Sequence, residues 1–542
     1  MILSIIFDTE YMGVSERNKW FLKSVSNARK EETIIVTHEY MYSHLDEIVD
    51  GCAERFYKEF EMDHVSADEI RNMDICYVPD SIFNDFCENN TSRSAALLNL
   101  FDNRCEALER YIVEFVDRKL KLKGKSLSCI MNCLHIFASV KYLSEHYNVP
   151  LIPYVFSCIR KVHGYAQTLY MAHFDKDLFN SSAAKEMYKN FNEDCFDFPI
   201  LSKKEILAFV GKKQNFVLLP LLNKVGTYEM GIVGEGFHIT PEIYAKEPIT
   251  DDDLHYECKK YYSSDCITTR LHPMQLDQFG IGRKHMKNDP AAFVLSCKRV
   301  ATVQSQMIIK AAMWNRVPCV LGDALPYAFL FTRDFTSTSP LSDCDLNFIL
   351  FCYFIPDSCM FSSEYWNWRE TNPSLREIIK RHINAILSDL NIDKSILFST
   401  NRFVDILKYR GCSESEISAI TNTHVDKIDY TYPSSRVDVI SQSGKAYSKY
   451  CLNTKNKNGL FVSEFMIPKD AKSIKLIPQN DVDGFVKLHK VQLDGIEKDI
   501  NKERTYWPKG MAKFELDSLD FNNNDRILRI EWDVLKIEEI YK

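Results

Sequence analysis

The sequence predicts an α/β protein built from two Rossmann-like lobes with a cleft between them, followed by a C-terminal antiparallel β-sandwich. Short apolar runs alternate with helical periods in two separate blocks, which is typical of parallel sheets covered by helices. From about residue 432 apolar and polar residues instead alternate at period two. The predicted units are an N-terminal lobe, a helical connector, a second lobe, a helical linker and the sandwich, over 1–180, 181–212, 213–400, 401–431 and 432–542.

The first block contains three short apolar runs that end in polar residues, "MILSIIFD", "ETIIVTHEY" and "DICYVPD". Each has the pattern of a buried strand. The clearest helical period is "SAALLNLFDNRCEALERYIVEFVDRKL", and "CLHIFASVKYLSEHYNVPLIPYVFS" predicts a helix, a break at Asn-Val-Pro and a further strand. This alternation predicts a parallel sheet with helices on both faces.

The second block repeats the alternation. It contains predicted strands at "QNFVLLPLL", "DCITTRLHP", "CKRVATVQ" and "RVPCVLGDA", with helices at "DDDLHYECKKYYSS" and "SQMIIKAAMWN". Ligands of open parallel sheets bind at the carboxyl ends of the strands. The polar residues that end these strands are therefore the candidates for a binding site.

Composition narrows the function class. The chain of 542 residues has a net charge of -8 and a sequence pI near 6.0, which argues against a general nucleic-acid binder. Its 17 cysteines form no Cys-x-x-Cys pair, so a zinc ribbon and a thioredoxin motif are not expected. No signal-peptide pattern is present, and "LNFILFCYFIP" is shorter than the roughly 20 residues that span a bilayer. We expect a cytoplasmic protein, with peripheral association at the inner face of the membrane as a possibility.

One candidate anion site lies at the end of the strand in "DCITTRLHPMQ". Arg270 has a guanidinium that can bind a phosphate or carboxylate through two hydrogen bonds. His272 can donate to a departing phosphate, and Pro273 restricts the turn that follows. The alternative is an ordinary histidine at a strand end.

The next strand end, in "TVQSQMIIKAAMWNRVP", adds Gln304, Ser305 and Gln306. Ser305 can cap the helix that begins there, and the first amide hydrogens of a helix favour a phosphate. An ordinary capped helix in a strand–helix–strand unit is the alternative.

Three segments together, "RLHPMQ", "QSQMIIKAAMWNRVP" and "FILFCYFIPDSCMFSSEYWNWRETNPS", resemble the bacterial β-Kdo glycosyltransferases of family 99, relatives of the capsule Kdo transferases. The resemblance covers about residues 1–400 and its motifs lie between about 215 and 375. It implies a GT-B fold and transfer of Kdo, or a related acidic sugar, from a CMP-activated donor to a bacterial surface polysaccharide or lipid-linked glycan. It also implies retention through a carboxylate nucleophile, with no metal or other cofactor.

The nucleophile of that family is expected to be an aspartate, yet no Asp occurs between Gly211 and Asp251. The candidate carboxylates are therefore Glu235, in "GEG", and Glu229 as the second choice. A carboxylate near an oxocarbenium-like centre can stabilise or capture it. For Glu235 the alternative is a solvated loop acid, and the missing aspartate leaves the anomeric outcome open.

The first lobe supplies further candidates. Arg160 and His163 follow the strand in "VPLIPYVFS" and are predicted to contact the donor or the acceptor, while a structural ion pair is the alternative for Arg160. Four polar residues at strand ends are candidates for acceptor binding, with solvated loops as the simpler interpretation: Asp8, Glu10, His38 and Glu39.

Other motifs favour structural roles. The acidic groups "DDD" (251–253), "DCD" (343–345) and "DVD" (481–483) could suggest a metal-binding Asp-x-Asp, but acids at a helix start or in a turn are the preferred interpretation. Core packing is preferred over sugar stacking for the tryptophans of "EYWNWRE". Two other functions remain open: a GT-B transferase that uses a UDP- or GDP-sugar, and a catalytically degenerate glycan-binding scaffold. The sandwich could bind glycan or support the lobes.

Overall fold

The structure is a computed structural model of the 542-residue chain. It describes residues 1–7, 13–30, 32–52, 57, 60, 62–82, 99–100, 102–133, 137–161, 165–172, 181–234, 249–270, 290–323, 325–422, 435–442, 446–451, 454–456, 458–467, 471–478, 484–498, 505–507, 514–516 and 526–536.

The first lobe is organised around a seven-stranded sheet with the order β11-β6-β5-β4-β1-β2-β3. Strands β1 to β5 are parallel, in the 3-2-1-4-5 order of a doubly wound nucleotide-binding fold, whereas β6 and its neighbours pair antiparallel. Apolar residues cover both faces of this sheet, as expected when helices pack on both sides. The strands are β1 (Ile2–Ile6), β2 (Thr33–His38), β3 (Ile75–Val78), β4 (Cys129–Cys133), β5 (Leu151–Phe156), β6 (Leu169–Ala172) and β11 (Phe354–Pro356).

Six helices accompany this sheet in the described part of the first lobe, and the predicted connector contains two more. Within the described ranges of the whole chain, no helix combines the length and apolar character needed to cross a bilayer. The eight helices are α1 (Gly13–Ala28), α2 (Tyr40–Ser43), α3 (Leu45–Asp50), α4 (Ala67–Arg71), α5 (Glu106–Lys123), α6 (Ala138–Tyr147), α7 (Ser181–Lys189) and α8 (Lys203–Val210), with a 3-10 turn at Glu193–Cys195.

The second lobe contains a four-stranded parallel sheet with the order β10-β9-β7-β8. Its strands are β7 (Tyr228–Val233), β8 (Ile267–Arg270), β9 (Cys297–Thr302) and β10 (Val317–Val320). Its helices are α9 (Asp251–Lys259), α10 (Pro290–Leu295), α11 (Met307–Met313) and α12 (Asp343–Asn347), with 3-10 segments at Lys213–Leu221, Ser264–Cys266 and Ala328–Leu330. The predicted second parallel sheet is confirmed.

The first strand of this sheet is not where the sequence predicts it. "QNFVLLPLL" forms most of the 3-10 helix Lys213–Leu221, which contains Pro220, and the strand β7 follows it in "YEMGIV". A short apolar run does not distinguish a buried strand from a buried helix. A segment for which the sequence analysis predicts no strand is therefore β7, one of the two central strands of this sheet.

Strand β7 approaches β9 too closely for side chains at two positions. A Cβ atom on Gly226 would lie 2.4 Å from the carbonyl carbon of Cys297, and one on Gly231 would lie 2.5 Å from the Cys297 Sγ. Glycine at both positions is thus required by packing rather than by backbone conformation.

Gly226→Ala is expected to lower the free energy of unfolding by about 1–3 kcal/mol, because the added methyl meets backbone atoms that cannot rotate away. The measurement is denaturant unfolding of the full chain. Val225→Ala is the neighbouring control, since Val225 is 73% exposed and its truncation is expected to change stability by less than about 0.5 kcal/mol. Equal stability of Gly226→Ala and the wild type would contradict the prediction.

After the second sheet the chain returns to the first lobe. The apolar run "FILFCY" forms a π-helix at Phe348–Tyr353, and β11 then pairs antiparallel with β6. The buried residues Tyr365 and Trp366 pack in the core of the first lobe, which bears out core packing for Trp366. The returning helices are α13 (Asp357–Met360), α14 (Ser363–Glu370), α15 (Leu375–Leu390), α16 (Arg402–Tyr409) and α17 (Glu414–Asn422), with a 3-10 turn at Lys394–Phe398.

The C-terminal segment forms two antiparallel sheets, with orders β13-β12-β16-β20 and β14-β15-β21-β17-β18, and β19 also pairs with β17. Buried residues from both sheets share one apolar core that includes Trp532. This arrangement agrees with the predicted β domain. Its strands are β12 (Ser435–Ser441), β13 (Ala446–Cys451), β14 (Thr454–Lys455), β15 (Phe461–Ile467), β16 (Ala471–Ile477), β17 (Gly484–Leu493), β18 (Ile496–Glu497), β19 (Thr505–Trp507), β20 (Phe514–Leu516) and β21 (Arg526–Lys536).

Candidate functional site

The carboxyl edge of the second sheet contains a topological switch point. The chain passes from β7 to β8 on one side of the sheet, whereas it passes from β9 to β10 on the other. In open parallel sheets a crevice for ligands lies between two such strands, beyond their carboxyl ends. Gly234, which follows β7, and the turn Gln304–Gln306, which follows β9, flank this crevice.

Arg270 ends β8 at the same edge. Its backbone pairs with Val233, which in turn pairs with Thr302, and the Arg270 carbonyl accepts a hydrogen bond of 2.9 Å from the Gly234 amide. Arg270 and Thr302 are therefore separated by one strand, about 10 Å apart at two inter-strand spacings. The structure thus brings Arg270 to the edge that also carries the Gln304–Gln306 turn.

Six of the predicted site residues lie outside the described residues: Asp8, Glu10, His163, Glu235, His272 and Pro273. Glu235 is the next residue after Gly234, the last described residue beyond β7. Their roles remain predictions.

The turn after β9 is held by its own side chains. The Ser305 amide donates to the Thr302 Oγ1 at 2.8 Å, the Met307 amide donates to the Ser305 Oγ at 3.4 Å, and the Ile308 amide donates to the Ser305 carbonyl. Gln306, not Ser305, occupies the cap position of α11. Gln306 makes no side-chain cap bond, whereas the Ser305 Oγ accepts from the Met307 amide, so the predicted capping role of Ser305 fits the geometry. The three amides named here are already engaged rather than open to a phosphate.

Gln306 joins the two lobes. Its Nε2 donates a hydrogen bond of 2.9 Å to the carbonyl of Phe156, the last residue of β5. The Gln306 Oε1 is buried and has no hydrogen-bond partner among the described residues. A buried amide oxygen without a partner is costly, so this atom is suited to accept from a bound water or ligand hydroxyl. The carboxyl edges of the two sheets therefore meet at Gln306.

Arg160 lies at the same junction. Its guanidinium carbon is 5.2 Å from the ring centroid of Phe156, and the residue is partly buried. Arg160 of the first lobe and Gln306 of the second lobe, both predicted to bind the donor, therefore both contact Phe156.

Lys310 is a further charged residue that the sequence analysis did not select. It is 3% exposed on α11, and its ammonium lies 5.4 Å from the ring centroid of Tyr165. Burial raises the pKa of the nearby Cys158 thiol to about 11, and the positive charges of Lys310 and Arg160 oppose this rise. The junction between the lobes is therefore electropositive. The sequence feature that could have identified Lys310 is a lysine within the apolar run "MIIKAAM".

Glu229 lies away from this edge. It is the second residue of β7, and Val233 is four residues further, about 13 Å at the rise of a strand. Its carboxylate pairs with Lys298, whose hydrogen bond is the main cause of its lowered pKa, and with Arg299 at 3.1 Å. Glu229 belongs to a structural ion-pair group at the amino end of the sheet. The prediction that it serves the reacting centre does not fit this geometry.

The acidic motifs have structural partners. Thr250 and Asp253 form reciprocal hydrogen bonds at the start of α9, so "DDD" stabilises a helix start as interpreted from the sequence. Asp345 donates its amide to Ser342 at the start of α12, and "DVD" lies outside the described residues. Within the described part of the chain, no three His, Cys, Asp or Glu side chains converge as metal ligands would.

No protein-family model matches the sequence, and no curated protein sequence matches it. Two solved structures are similar to parts of the chain. A β-Kdo 2,7 transferase, KpsC of Thermosulfurimonas dismutans, is 12% identical over 48% of this chain and 89% of its own, with a TM-score of 0.29. A UDP-GlcNAc 2-epimerase of Methanocaldococcus jannaschii is 11% identical over 64% of this chain and 98% of its own, with a TM-score of 0.24. Similarity at this level does not assign a function.

Proposed function

We propose that this protein is a glycosyltransferase of GT-B type that transfers Kdo, or a related acidic sugar, from its CMP-activated donor to a bacterial surface polysaccharide or lipid-linked glycan. The observation that carries the proposal is the bond between Gln306 and the carbonyl of Phe156. It joins the carboxyl edges of two parallel sheets, and this is where enzymes with two nucleotide-binding-type lobes hold their substrates.

The charges at this junction suit an anionic donor. Arg270 ends β8 beside the switch point, while Arg160 and the buried Lys310 lie where the lobes meet. A CMP-linked acidic sugar carries one phosphate and one carboxylate, and each of these anions pairs well with a guanidinium or an ammonium. His272 and Pro273 lie two and three residues after Arg270 in the sequence and complete the predicted phosphate contacts.

In the proposed reaction an acceptor hydroxyl replaces CMP at the anomeric carbon, and CMP leaves with the bonding electrons as a monophosphate. Glu235 is proposed to stabilise or capture the oxocarbenium-like centre, since the segment that contains it follows β7 at the switch point. The resemblance to the β-Kdo transferases supports this donor class.

CMP is expected to raise the unfolding temperature of the full chain more than equal concentrations of UDP or GDP. A ligand at 100 times its Kd stabilises a folded protein by about 2.7 kcal/mol. Arg270→Ala is expected to abolish the shift, whereas Arg29→Ala, which changes an exposed arginine just after α1, is expected to retain it. The direct assay is CMP release from CMP-Kdo that depends on an acceptor.

Each alternative to the proposed function predicts a different experimental result. A larger shift with UDP or GDP would replace the CMP donor in the proposal. Glycan binding with no turnover under any of the nucleotide sugars would identify the chain as a degenerate, non-catalytic relative. Normal CMP release by His272→Ala would remove His272 from the proposed mechanism.

A further inference from the structure

Three tyrosines and two acids form an exposed cluster where β2 and β3 end. We call it the tyrosine platform, and it consists of Glu39, Tyr42, Tyr77, Asp80 and Tyr111. Tyr42 is 52% exposed and Tyr111 is 39% exposed, and both acids are also exposed. Exposed aromatic rings grouped in this way mark an interaction surface more often than rings scattered singly.

One ring contact and one hydrogen bond to the backbone hold the three tyrosines together, and Tyr77 is half-buried between its neighbours. The ring centroids of Tyr42 and Tyr77 are 5.2 Å apart at an interplanar angle of 60°. The Tyr111 hydroxyl donates a hydrogen bond of 3.1 Å to the Tyr77 carbonyl. Rigid tyrosines lose little conformational entropy on binding, so they offer contact area at low cost.

The two carboxylates are part of the same arrangement. The Glu39 amide donates to the Val78 carbonyl at 2.8 Å, and the Asp80 amide donates to the Glu39 Oε2 at 3.4 Å. Burial, together with the nearby Cys76 and Glu39, raises the pKa of Tyr111. The platform therefore presents aromatic faces beside acceptors of hydrogen bonds, and its own five residues carry two negative charges. His38, with Nδ1 4.0 Å from Asp80, and the positive Arg118, which opposes the rise in the pKa of Tyr111, lie at its margin.

The platform and the junction between the lobes share one edge. Tyr77 is on β3 and Phe156 is on β5, and both strands point the same way in a run of parallel strands. Four inter-strand spacings separate β3 from β5, which is about 19 Å. The platform is thus outside the proposed donor site but in line with it along the carboxyl edge.

We propose that the tyrosine platform binds the neutral part of an extended oligosaccharide, and that this oligosaccharide is the acceptor; the assignment as acceptor rests on the proposed transferase function. A pyranose ring has apolar C–H faces that pack on aromatic rings and a rim of hydroxyls that donate to carboxylates. Glu39 and Asp80 repel anionic sugars, so the bound segment is neutral and the acidic sugar is added at a distance from it.

A carbohydrate fits this surface better than a protein. Protein hot spots combine aromatic anchors with well-packed pockets that are emptied of water. The five platform residues include no aliphatic side chain, and both carboxylates remain exposed to water. Exposed rings with polar neighbours favour a ligand whose surface alternates C–H and hydroxyl groups.

The test is binding of the full chain to an array of neutral bacterial surface oligosaccharides. Wild type is expected to bind at least one of them, and Tyr42→Ala is expected to bind it about tenfold more weakly. Tyr42→Phe is expected to retain most of the binding, since it keeps the ring. Tyr409→Ala is the matched control, because Tyr409 is also 52% exposed but lies on α16.

Absence of binding to every neutral oligosaccharide would overturn the proposal. Binding that Tyr42→Ala and Tyr111→Ala leave unchanged would also overturn it, and would direct attention to another surface such as the C-terminal β domain. The CMP thermal shift separates this result from the proposed function, because Tyr42→Ala is expected to leave that shift intact. If the wild type binds an oligosaccharide but its unfolding temperature does not respond to CMP, the proposal for the tyrosine platform stands and the proposed CMP donor is refuted.

Discussion

Acidification from pH 6.5 towards pH 3 is expected to destabilise the protein through His382, which is neutral in the folded chain and whose pKa is lowered to about 3. The imidazole is 0% exposed and is held on both sides. Its Nδ1 lies 3.1 Å from the Phe351 carbonyl, so this nitrogen donates, and its Nε2 lies 2.6 Å from the Tyr365 hydroxyl and accepts. The Arg369 Nη1 donates to the same hydroxyl oxygen at 2.9 Å.

These bonds fix the protonation state. Burial is the main cause of the lowered pKa, and the positive charges of Arg369 and Arg381 add to it. A proton on Nε2 would oppose the hydrogen that Tyr365 donates and would place a second cation near Arg369. The folded protein therefore holds His382 neutral at pH values where an unfolded chain would protonate it.

The direction of the pH effect on stability follows from the difference between the His382 pKa values of the folded and unfolded chains. Above pH 6.5, the ordinary pKa of histidine, both states are neutral and the full stability is present. As the pH falls from 6.5 towards 3, the unfolded state gains a proton that the folded state excludes, so stability decreases by about 1.4 kcal/mol per pH unit. Below about pH 3 this residue causes no further loss.

The measurement is denaturant unfolding at pH 7 and at pH 4.5, where His382 accounts for a loss of about 3 kcal/mol. His382→Gln is expected to be less stable than the wild type at pH 7 and to show a shallower decrease on acidification. Tyr365→Phe is the control, since it removes the hydroxyl but keeps the buried imidazole and hence the steep decrease. Equal slopes for His382→Gln and the wild type would contradict the assignment.

Much of the fold could be predicted because a strand buried on both faces requires an unbroken apolar run. "ETIIVTHEY" and "DICYVPD" contain β2 and β3 for this reason. Helix α15 begins at a capping box formed by Ser374 and Glu377, three residues apart, a local signal that the sequence analysis did not use. Local signals of this kind depend on neighbouring residues alone.

Two errors arose where a local pattern was ambiguous. Lys213–Leu221 is apolar enough for a strand, yet it is a 3-10 helix, and β4 was not predicted because its run "CIMNC" is short and contains Asn132. Because "YEMGIV" was not recognised as strand β7, Glu229 was taken as a candidate for the reacting centre. Recognition of the strand would have shown that its second residue lies at the amino end.

Long-range pairing has no local signal. Strand β11 joins the first sheet by pairing Ile355 with Tyr170, and Gln306 reaches Phe156 across 150 residues of sequence. The sequence pattern identifies polar residues at strand ends but not which strand ends meet. For this reason the candidates Arg270 and Gln306 were predictable, whereas the contact that joins the lobes was not.

The return of the chain to the first lobe leads to the second large effect. Lys23 of α1 is 1% exposed, and its ammonium lies 3.0 Å from Oδ1 of Asp357, the first residue of α13, whose side chain is 17% exposed. The Tyr170 hydroxyl donates to the same oxygen at 2.7 Å. One buried ion pair thus links residues 334 positions apart and holds the returning segment on the first sheet.

Lys23→Met and Asp357→Leu are each expected to lower the free energy of unfolding by about 3–5 kcal/mol. Each change leaves the other partner buried without its counter-charge, and the cost of that unpaired charge exceeds the value of the pair itself. The double variant Lys23→Met/Asp357→Leu is expected to recover most of the loss, because it removes both charges and keeps apolar volume. Denaturant unfolding of all three variants gives the coupling between the two residues.

The exposed pair Lys30–Asp63 is the control that separates burial from charge. Its atoms lie 2.9 Å apart, but its side chains are 60% and 48% exposed, so Lys30→Met is expected to cost about 0–1 kcal/mol. Similar losses for Lys23→Met and Lys30→Met would show that the buried pair does not anchor the returning segment. If Lys23→Met causes a large loss of stability that the double variant reverses, α13 is held on the first lobe by an ion pair that apolar residues can replace. The pair then stabilises the fold because each buried charge requires a partner.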